Sequence, residues 1–179
     1  MRIVVDAMGS DDHPGPDVAG AVMAAREFGD TIVLVGDRPR VEAALAAQDT
    51  AGLAIEVRHA TQAIGMKDSP SAAAREKRDS SMHVGLALLR AGEADAFVSA
   101  GNTGAILAVA TLRQTGVGRI PGVLRPALGV VFPIESKPML IDNGANADAK
   151  PESLLHVGPM GSVYVQRLLG IPPPPMPLL

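Results

Sequence analysis

The chain has 179 residues, a formal net charge of -3 and a hydrophobic fraction of 47%. These values predict one globular domain, or one with a fragment of a second, and exclude a disordered chain or a polycation. The absence of cysteine and the 2% of aromatic residues exclude disulfide scaffolds, thiolate metal sites, a cysteine nucleophile and stacking platforms for single-stranded nucleic acid. No apolar run approaches the roughly 18–20 residues of a membrane span, and the N-terminus lacks a signal-peptide pattern. We therefore expect a cytoplasmic protein, with association at a membrane surface left open.

Short apolar runs alternate with helical periodicities along the chain. In chain order we predict a strand at 3–5, a helix from Val18 with Asp17 as its cap, a strand at 31–35, a helix at 40–47, a strand at 53–57, helices at 71–78 and 80–91, a strand at 95–99, a helix at 105–113, paired strands at 128–132 and 139–141, and a last helix at 152–169. This alternation predicts βαβ units and a largely parallel sheet. The prolines at 172–175 and 177 fit neither a helix nor a central strand. We therefore expect an α/β domain over 1–170 and a divergent Pro-rich tail over 171–179.

Four polar clusters follow predicted strands or open predicted helices, at 6–13, 67–81, 99–104 and 142–150. Open α/β sheets bind their ligands at the carboxyl ends of strands. The G-x-G-x-x-G and P-loop patterns are absent, which disfavours an ordinary dinucleotide or P-loop site. The clusters therefore predict a ligand site of another type at this edge of the sheet.

The turn at 99–104 has the pattern of a phosphate site. A strand runs into Ser-Ala-Gly-Asn-Thr-Gly and a helix follows directly, so free N–H groups and the helix dipole favour an anion there. Gly101 permits a close approach of the backbone, and Ser99, Asn102 and Thr103 supply polar side chains. The alternative is that Asn102 or Thr103 merely caps the helix.

The charged candidates also have two interpretations each. Asp6 and Asp142 end predicted strands, where carboxylates orient groups or accept protons; alternatively, they are helix caps or buried hydrogen-bond anchors. The basic residues Arg75, Lys77 and Arg78 fit an acidic partner or a phosphate; alternatively, they form a solvated helix face.

Metal binding and histidine catalysis are disfavoured. Three adjacent polar side chains in one loop point in different directions, which argues against a metal site at Asp11, Asp12 and His13. The remaining histidines are scattered without an obvious partner, so we expect structural roles for His59, His83 and His156.

Five stretches of the chain together carry a specific resemblance. They are IVVDAMGSD at 3–11, IGMKDSPSAAAREKRDSSM at 64–82, ADAFVSAGNTGAILA at 94–108, RPAL at 125–128 and IDNGANADAKPESLLHVGPMGSVY at 141–164. In this order and spacing they resemble the phosphate acyltransferases of bacterial phospholipid synthesis. The resemblance covers almost all of residues 1–170, and Ser10 stands where that family usually has glycine.

The resemblance implies a reversible transfer of a fatty acyl group from the thioester of acyl carrier protein to inorganic phosphate. A membrane glycerol-3-phosphate acyltransferase then uses the acyl phosphate. It also implies a Rossmann-like, three-layer α/β/α sandwich, similar to isocitrate dehydrogenases and phosphotransacetylases, and a cytoplasmic homodimer that is often found at the membrane surface. No cofactor or metal is implied. Phosphate is its own nucleophile in this reaction, which fits a chain without cysteine.

On this resemblance the phosphate-binding residues are Ser99, Gly101, Asn102, Thr103 and Asn146. The catalytic residues are Asp6, Asp142 and Lys150, where Lys150 donates to phosphate or to the developing oxyanion and an aspartate accepts a proton. The residues that dock acidic acyl carrier protein are Arg75, Lys77 and Arg78.

Members of that family continue beyond the point at which this chain ends, so we expect the N-terminal half of the family fold, with a sheet that is incomplete at its C-terminus. Two alternatives stay open at this point. One is an inactive fragment that keeps only phosphate or acyl-carrier-protein binding. The other is a dehydrogenase of the related fold, against which the order of the motifs counts.

Overall fold

The computed structural model of the chain describes residues 1–112, 116–123, 126–132, 139–142, 151–170 and 172. The chain divides into two compact units, Met1–Gly118 and Arg119–Leu179. The expected α/β domain over 1–170 and Pro-rich tail over 171–179 stay predictions. None of the helices in the described ranges is long and apolar enough to cross a membrane.

The first unit is an α/β fold. Its elements are β1 (Arg2–Asp6), α1 (Gly15–Phe28), β2 (Thr31–Gly36), α2 (Arg38–Ala46), β3 (Ile55–His59), α3 (Pro70–Glu76), α4 (Ser81–Arg90), β4 (Ala96–Val98) and α5 (Thr103–Thr111). The four strands form one sheet in the order β3-β2-β1-β4, and every neighbouring pair is parallel. The predicted parallel sheet is confirmed.

Helices cover both faces of this sheet, because its middle strands are apolar on both sides. On one face, Ile32 and Leu34 of β2 pack with Val18 and Val22 of α1. The alternate residue Val33 lies on the other face, in the cluster that α4 covers. The first unit therefore has the three layers expected of an α/β/α sandwich.

A glycine brings α4 close to the sheet. A Cβ atom on Gly85 would lie 2.4 Å from Cε2 of Phe97 in β4 and 3.1 Å from Cγ1 of Val4 in β1. A side chain at this position would force the Phe97 ring or the helix to move. The close contact holds the middle of α4 against β4 and β1.

The second unit contains β5 (Gly129–Val131), β6 (Met139–Ile141) and α6 (Pro151–Leu168). The two strands pair in antiparallel fashion, with Val130 opposite Leu140, which confirms the predicted pairing. Helix α6 packs on β6, where Ile141 lies beside Gly161.

Three predicted helix starts were wrong, and one of them is that of α5, which begins at Thr103 rather than Ala105 because Asn102 caps it. Helix α1 begins at Gly15 rather than near Val18, because proline is well suited to the first turn of a helix. Asp17 lies inside that turn, where it accepts a hydrogen bond from Ser10 Oγ over 2.6 Å, and it is not the cap. Helix α2 begins at Arg38 rather than Arg40, since Asp37 caps it by accepting a bond from the Arg40 N–H.

Candidate anion-binding site

Two of the polar clusters meet because β1 and β4 are neighbours in the sheet. Val5 of β1 pairs with Val98 of β4, so Asp6 and Ser99 follow at the same edge. Ser99 Oγ donates a hydrogen bond to Asp6 Oδ2 over 2.7 Å. The loop after β1 and the turn after β4 therefore form one structural site.

Asp6 is a buried acceptor of several hydrogen bonds. The residue is 1% exposed, and its Oδ1 accepts a bond from the Met8 N–H over 3.0 Å. Burial raises the pKa of Asp6, the nearby Ser81 and Ser99 hydroxyls and the Met8 N–H act in the opposite direction, and the Asp17 carboxylate raises it further. This environment is that of a hydrogen-bond anchor, the second interpretation that the sequence left open for Asp6.

The single hydrogen of the Ser99 hydroxyl is committed to Asp6. The hydroxyl oxygen accepts a bond from the Gly101 N–H over 3.0 Å. A serine hydroxyl has a single hydrogen to donate. Ser99 and Gly101 thus shape the turn through bonds to each other, and direct contact of either group with phosphate stays a prediction.

Two glycines allow the loop after β1 and the turn after β4 to touch through their backbones. A Cβ atom on Gly9 would lie 2.9 Å from Asp6 Oδ2 and from Ser99 Oγ, and 3.0 Å from the Gly101 nitrogen. A Cβ atom on Gly101 would lie 2.7 Å from Met82 Cε. A side chain on Gly9 would displace polar groups of the site, whereas one on Gly101 would mainly displace the flexible end of Met82.

Asn102 caps α5 and binds the loop at 65–68. Its Oδ1 accepts a hydrogen bond from the Ala105 N–H over 3.0 Å. Its Nδ2 lies 3.4 Å from the carbonyl oxygen of Gly65, 3.3 Å from that of Met66 and 3.1 Å from that of Asp68. The capping alternative therefore describes what this side chain does, and a direct phosphate contact from it stays a prediction.

The first turn of α5 keeps two backbone donors. The cap binds the Ala105 N–H, and the Ile106 N–H bonds to the carbonyl oxygen of Asn102 over 3.0 Å. In the part of the chain that the structure describes, no acceptor is bonded to the N–H groups of Thr103 and Gly104. Both residues are exposed, so these donors and the positive end of the helix dipole are open to an anion.

The three basic candidates differ in what they contact. Lys77 Nζ bonds to Asp68 Oδ2 over 2.6 Å and to the carbonyl oxygen of Ala63 over 2.9 Å, and its bond is the main cause of the lowered pKa of Asp68. Lys77 therefore holds the loop at 63–68 in place. Arg75 and Arg78 are exposed, and Arg78 Nε donates to the carbonyl oxygen of Arg75.

The remaining three candidate residues belong to the second unit, and only Asp142 is among the described residues. Asp142 follows β6 with a left-handed backbone, φ 66°, and its N–H donates to the carbonyl oxygen of Leu128 over 2.7 Å. Asn146 and Lys150 lie outside the described residues. Their roles stay predictions.

The start of α4 contains the last residues of the polar cluster at 67–81, which the sequence predicted to lie at the ligand site. Ser80 caps α4 by accepting a bond from the His83 N–H, and Ser81 is buried beside it as the first residue of the helix. His83 is buried as a structural residue, with Nδ1 2.8 Å from Ser80 Oγ and Nε2 3.0 Å from the carbonyl oxygen of Ala74. Burial lowers the pKa of His83, so the neutral ring donates from Nε2 and accepts at Nδ1. The pattern Ser-Ser before a helix signals a cap, but it does not indicate which serine supplies the capping oxygen.

Metal-ligating side chains do not converge here: in the described ranges no three histidine or acidic residues lie close enough together to hold a metal ion. The donors of the site are backbone N–H and hydroxyl groups, which suit an anion better than a cation.

Comparison with known proteins places these motifs in a family. The sequence model of a family described as "Fatty acid synthesis protein" matches residues 1–179. A phosphate acyltransferase of Syntrophotalea carbinolica is 49% identical over 169 residues, which are 94% of this chain and 48% of that protein. Proteins of the same name from Herpetosiphon aurantiacus and Geobacter sulfurreducens are 47% and 43% identical over 180 residues, and the match covers 48% and 51% of their lengths. The chain thus spans about half the length of the curated relatives it matches.

A solved structure is similar in fold. A phosphotransacetylase from Streptococcus pyogenes aligns with a TM-score of 0.65 at 16% sequence identity, covering 96% of this chain and 55% of that protein. At this identity the likeness concerns the fold alone. It agrees with the α/β sandwich expected from the sequence.

Proposed function

Because the chain belongs to the family of fatty acid synthesis proteins, we propose that it carries the phosphate site of an enzyme that transfers a fatty acyl group from acyl carrier protein to inorganic phosphate. The relatives named phosphate acyltransferase support the reaction class. The observation that supports the site is the start of α5, where Asn102 caps the helix and the N–H groups of Thr103 and Gly104 remain available.

The proposed reaction needs no nucleophile from the protein. An oxygen of hydrogen phosphate attacks the thioester carbonyl carbon, a C–O bond forms and the C–S bond breaks. The proton of hydrogen phosphate moves to the departing sulfur, so the products are an acyl phosphate and a free thiol. The protein binds the anion, aligns it with the carbonyl and stabilises the tetrahedral oxyanion.

The proposed phosphate contacts are the backbone donors of Thr103 and Gly104 and the Thr103 hydroxyl. Ser99, Gly101 and Asn102 support them by fixing the turn and the helix cap. From the family motif we retain Asn146 as a further phosphate contact and Asp142 and Lys150 as catalytic residues. For Asp6 the buried, hydrogen-bonded environment favours a supporting role over proton transfer to substrate.

The proposed docking surface for acidic acyl carrier protein consists of the exposed guanidinium groups of Arg75 and Arg78. Arginine suits the carboxylates and phosphates of such a partner because it offers paired donors. Lys77 contributes indirectly, since its ammonium already binds Asp68. We also propose, on the family resemblance alone, a cytoplasmic homodimer that works at the membrane surface and delivers its product to a membrane glycerol-3-phosphate acyltransferase.

The reaction is tested by incubating the purified chain with acyl-[acyl carrier protein] and phosphate and measuring acyl phosphate as its hydroxamate. Phosphate-dependent formation of acyl phosphate supports the proposal. Saturable binding of phosphate and acyl carrier protein without product would assign the chain a binding role only. Substrate-dependent reduction of a nicotinamide cofactor would replace the proposal with a dehydrogenase.

A further inference from the structure

The loop at 65–68 lies against the start of α5, and an ion pair between Lys77 and Asp68 closes it. We propose that Lys77 is a positioning residue of the phosphate site. It fixes Asp68 and the loop, the loop orients the Asn102 side chain, and the oriented cap holds the first turn of α5 in the conformation that binds phosphate. This role rests on the proposed phosphate site, and it differs from the docking of a partner protein.

The side chains of Lys77 and Asp68 close the loop into a fixed turn. Lys77 Nζ donates to Asp68 Oδ2 over 2.6 Å and to the carbonyl oxygen of Ala63 over 2.9 Å. Asp68 Oδ2 also accepts a bond from the Gly65 N–H over 2.8 Å. In the backbone, the Asp68 N–H donates to the carbonyl oxygen of Gly65 over 3.1 Å. The ammonium therefore binds the carboxylate on which the turn is built.

The backbone of Lys77 is itself anchored. Its N–H donates to the carbonyl oxygen of Ala73 in α3 over 2.9 Å, and its carbonyl oxygen accepts a bond from the Ser80 N–H over 3.1 Å. Ala73 lies with Ala105 of α5 in one buried cluster. Because Lys77 is tied to a helix that packs on α5, it can impose a position on the loop rather than follow it.

The loop decides which way the Asn102 amide points. Carbonyl oxygens of Gly65, Met66 and Asp68 lie 3.1 to 3.4 Å from its Nδ2. A carbonyl oxygen can only accept a hydrogen bond, so Nδ2 must face the loop. This leaves Oδ1 facing the helix, where it accepts a bond from the Ala105 N–H over 3.0 Å. If the loop moves away, nothing selects this orientation and the cap weakens.

A fixed cap matters for phosphate because backbone donors bind an anion best when they already point towards it. Thr103 and Gly104 follow the cap directly. A Cβ atom on Gly104 would lie 2.8 Å from Cγ of Pro70, so the start of α3 already touches the start of α5. The loop before Pro70 thus has one end held by packing and depends on Lys77 for the other.

The test removes either partner of the ion pair in the full chain. Lys77→Met and Asp68→Ala break the same contact but change the net charge in opposite directions. Calorimetric titration with inorganic phosphate should show affinity weakened about fivefold in both variants. The matched control is Arg58→Met, which removes one positive charge and a surface ion pair with Glu93, and it should leave the affinity unchanged.

The opposite charge changes separate positioning from simple attraction. If Lys77 acts only through its charge, phosphate should bind more weakly to Lys77→Met and more tightly to Asp68→Ala. That pair of results would overturn the proposal.

A second measurement needs no phosphate. Hydrogen exchange at the Ala105 N–H should be about fivefold faster in Lys77→Met and in Asp68→Ala. Exchange at the Val41 N–H, which bonds to the carbonyl oxygen of Asp37 in another capped helix, should stay unchanged. If the parent chain binds no phosphate, the proposed function fails; if the Ala105 exchange is unaltered, the positioning role fails.

A double-mutant cycle completes the test. In an Asn102→Ala background, Lys77→Met should weaken phosphate binding by less than about twofold, because Lys77 acts through Asn102. Losses that add in full would overturn the proposal. Should Lys77→Met not fold, Asp68→Ala alone must weaken phosphate binding and speed the Ala105 exchange, and failure of either effect contradicts the role of the ion pair.

Discussion

Replacing Asn102 with alanine removes two kinds of interaction at once. The first is the cap of α5, a 3.0 Å bond from the Ala105 N–H, whose loss costs about 1 kcal/mol. The second is the set of amide contacts with three carbonyl oxygens of the loop at 65–68, at 3.1 to 3.4 Å. The amide has two hydrogens to share among them, and Gly65 and Met66 are exposed enough for water to replace it, so we assign about 1 kcal/mol to this part.

Asn102→Ala should therefore lower the free energy of unfolding by about 2 kcal/mol. Urea denaturation of the full chain, followed by far-ultraviolet circular dichroism, measures this change. Asn102→Ser restores a capping oxygen without the amide, so it should recover about half of the loss. An Asn102→Ala chain within about 0.5 kcal/mol of the parent would refute the assignment of Asn102 as a structural cap, as would a serine variant no more stable than alanine.

Three further predictions concern packing and pH. Gly9→Ala places a methyl group within 3.0 Å of three polar atoms and should cost about 1–3 kcal/mol, whereas Gly20→Ala, in a helix with open space around it, should be neutral or stabilising by up to about 1 kcal/mol; urea midpoints check both. Because the pKa of Asp68 is lowered, chiefly by Lys77, its contribution to stability is present above its unfolded pKa and is lost as the pH falls through the folded value. Lys77→Met should therefore make the free energy of unfolding depend less on pH in the acid range. An unchanged pH dependence would contradict the ion pair between Lys77 and Asp68. The pKa of His83 is also lowered, by burial, so stability should decline as the pH falls below the unfolded histidine value of about 6.5; His83→Gln should weaken that decline, as seen in unfolding curves between neutral and mildly acidic pH.

The sequence predicted most of the first unit because its strands are apolar runs bounded by turn residues. Alternating strands and helices required a parallel sheet, and the structure has one. Helix starts were harder to place: Asp17 precedes an apolar periodicity and matches a cap, but the preceding prolines begin the helix earlier. A local pattern cannot show which of several adjacent starting residues the tertiary structure selects.

The site was predicted in its position but not in its internal bonding. Asp6 and Ser99 end strands, so their arrival at one edge of the sheet followed from the fold class. The fold class did not predict which group donates and which accepts in each hydrogen bond of the site. Ser99 was expected to donate to a ligand, whereas its hydrogen is committed to Asp6. Such contacts depend on three-dimensional packing between distant segments.

The most direct test of the proposed phosphate site removes one backbone donor. Thr103 is the first residue of α5, a position where proline fits a helix, and Asn102 before it has an extended backbone that accepts a following proline. Thr103→Pro therefore keeps the helix while it removes the N–H group and the hydroxyl, whereas Thr103→Ala removes only the hydroxyl. We predict by calorimetric titration with inorganic phosphate that the parent binds at a single site and that Thr103→Pro binds at least about tenfold more weakly than Thr103→Ala. Equal phosphate affinity in the proline and alanine variants, with α5 intact by circular dichroism, would contradict the proposal that the start of this helix holds the phosphate.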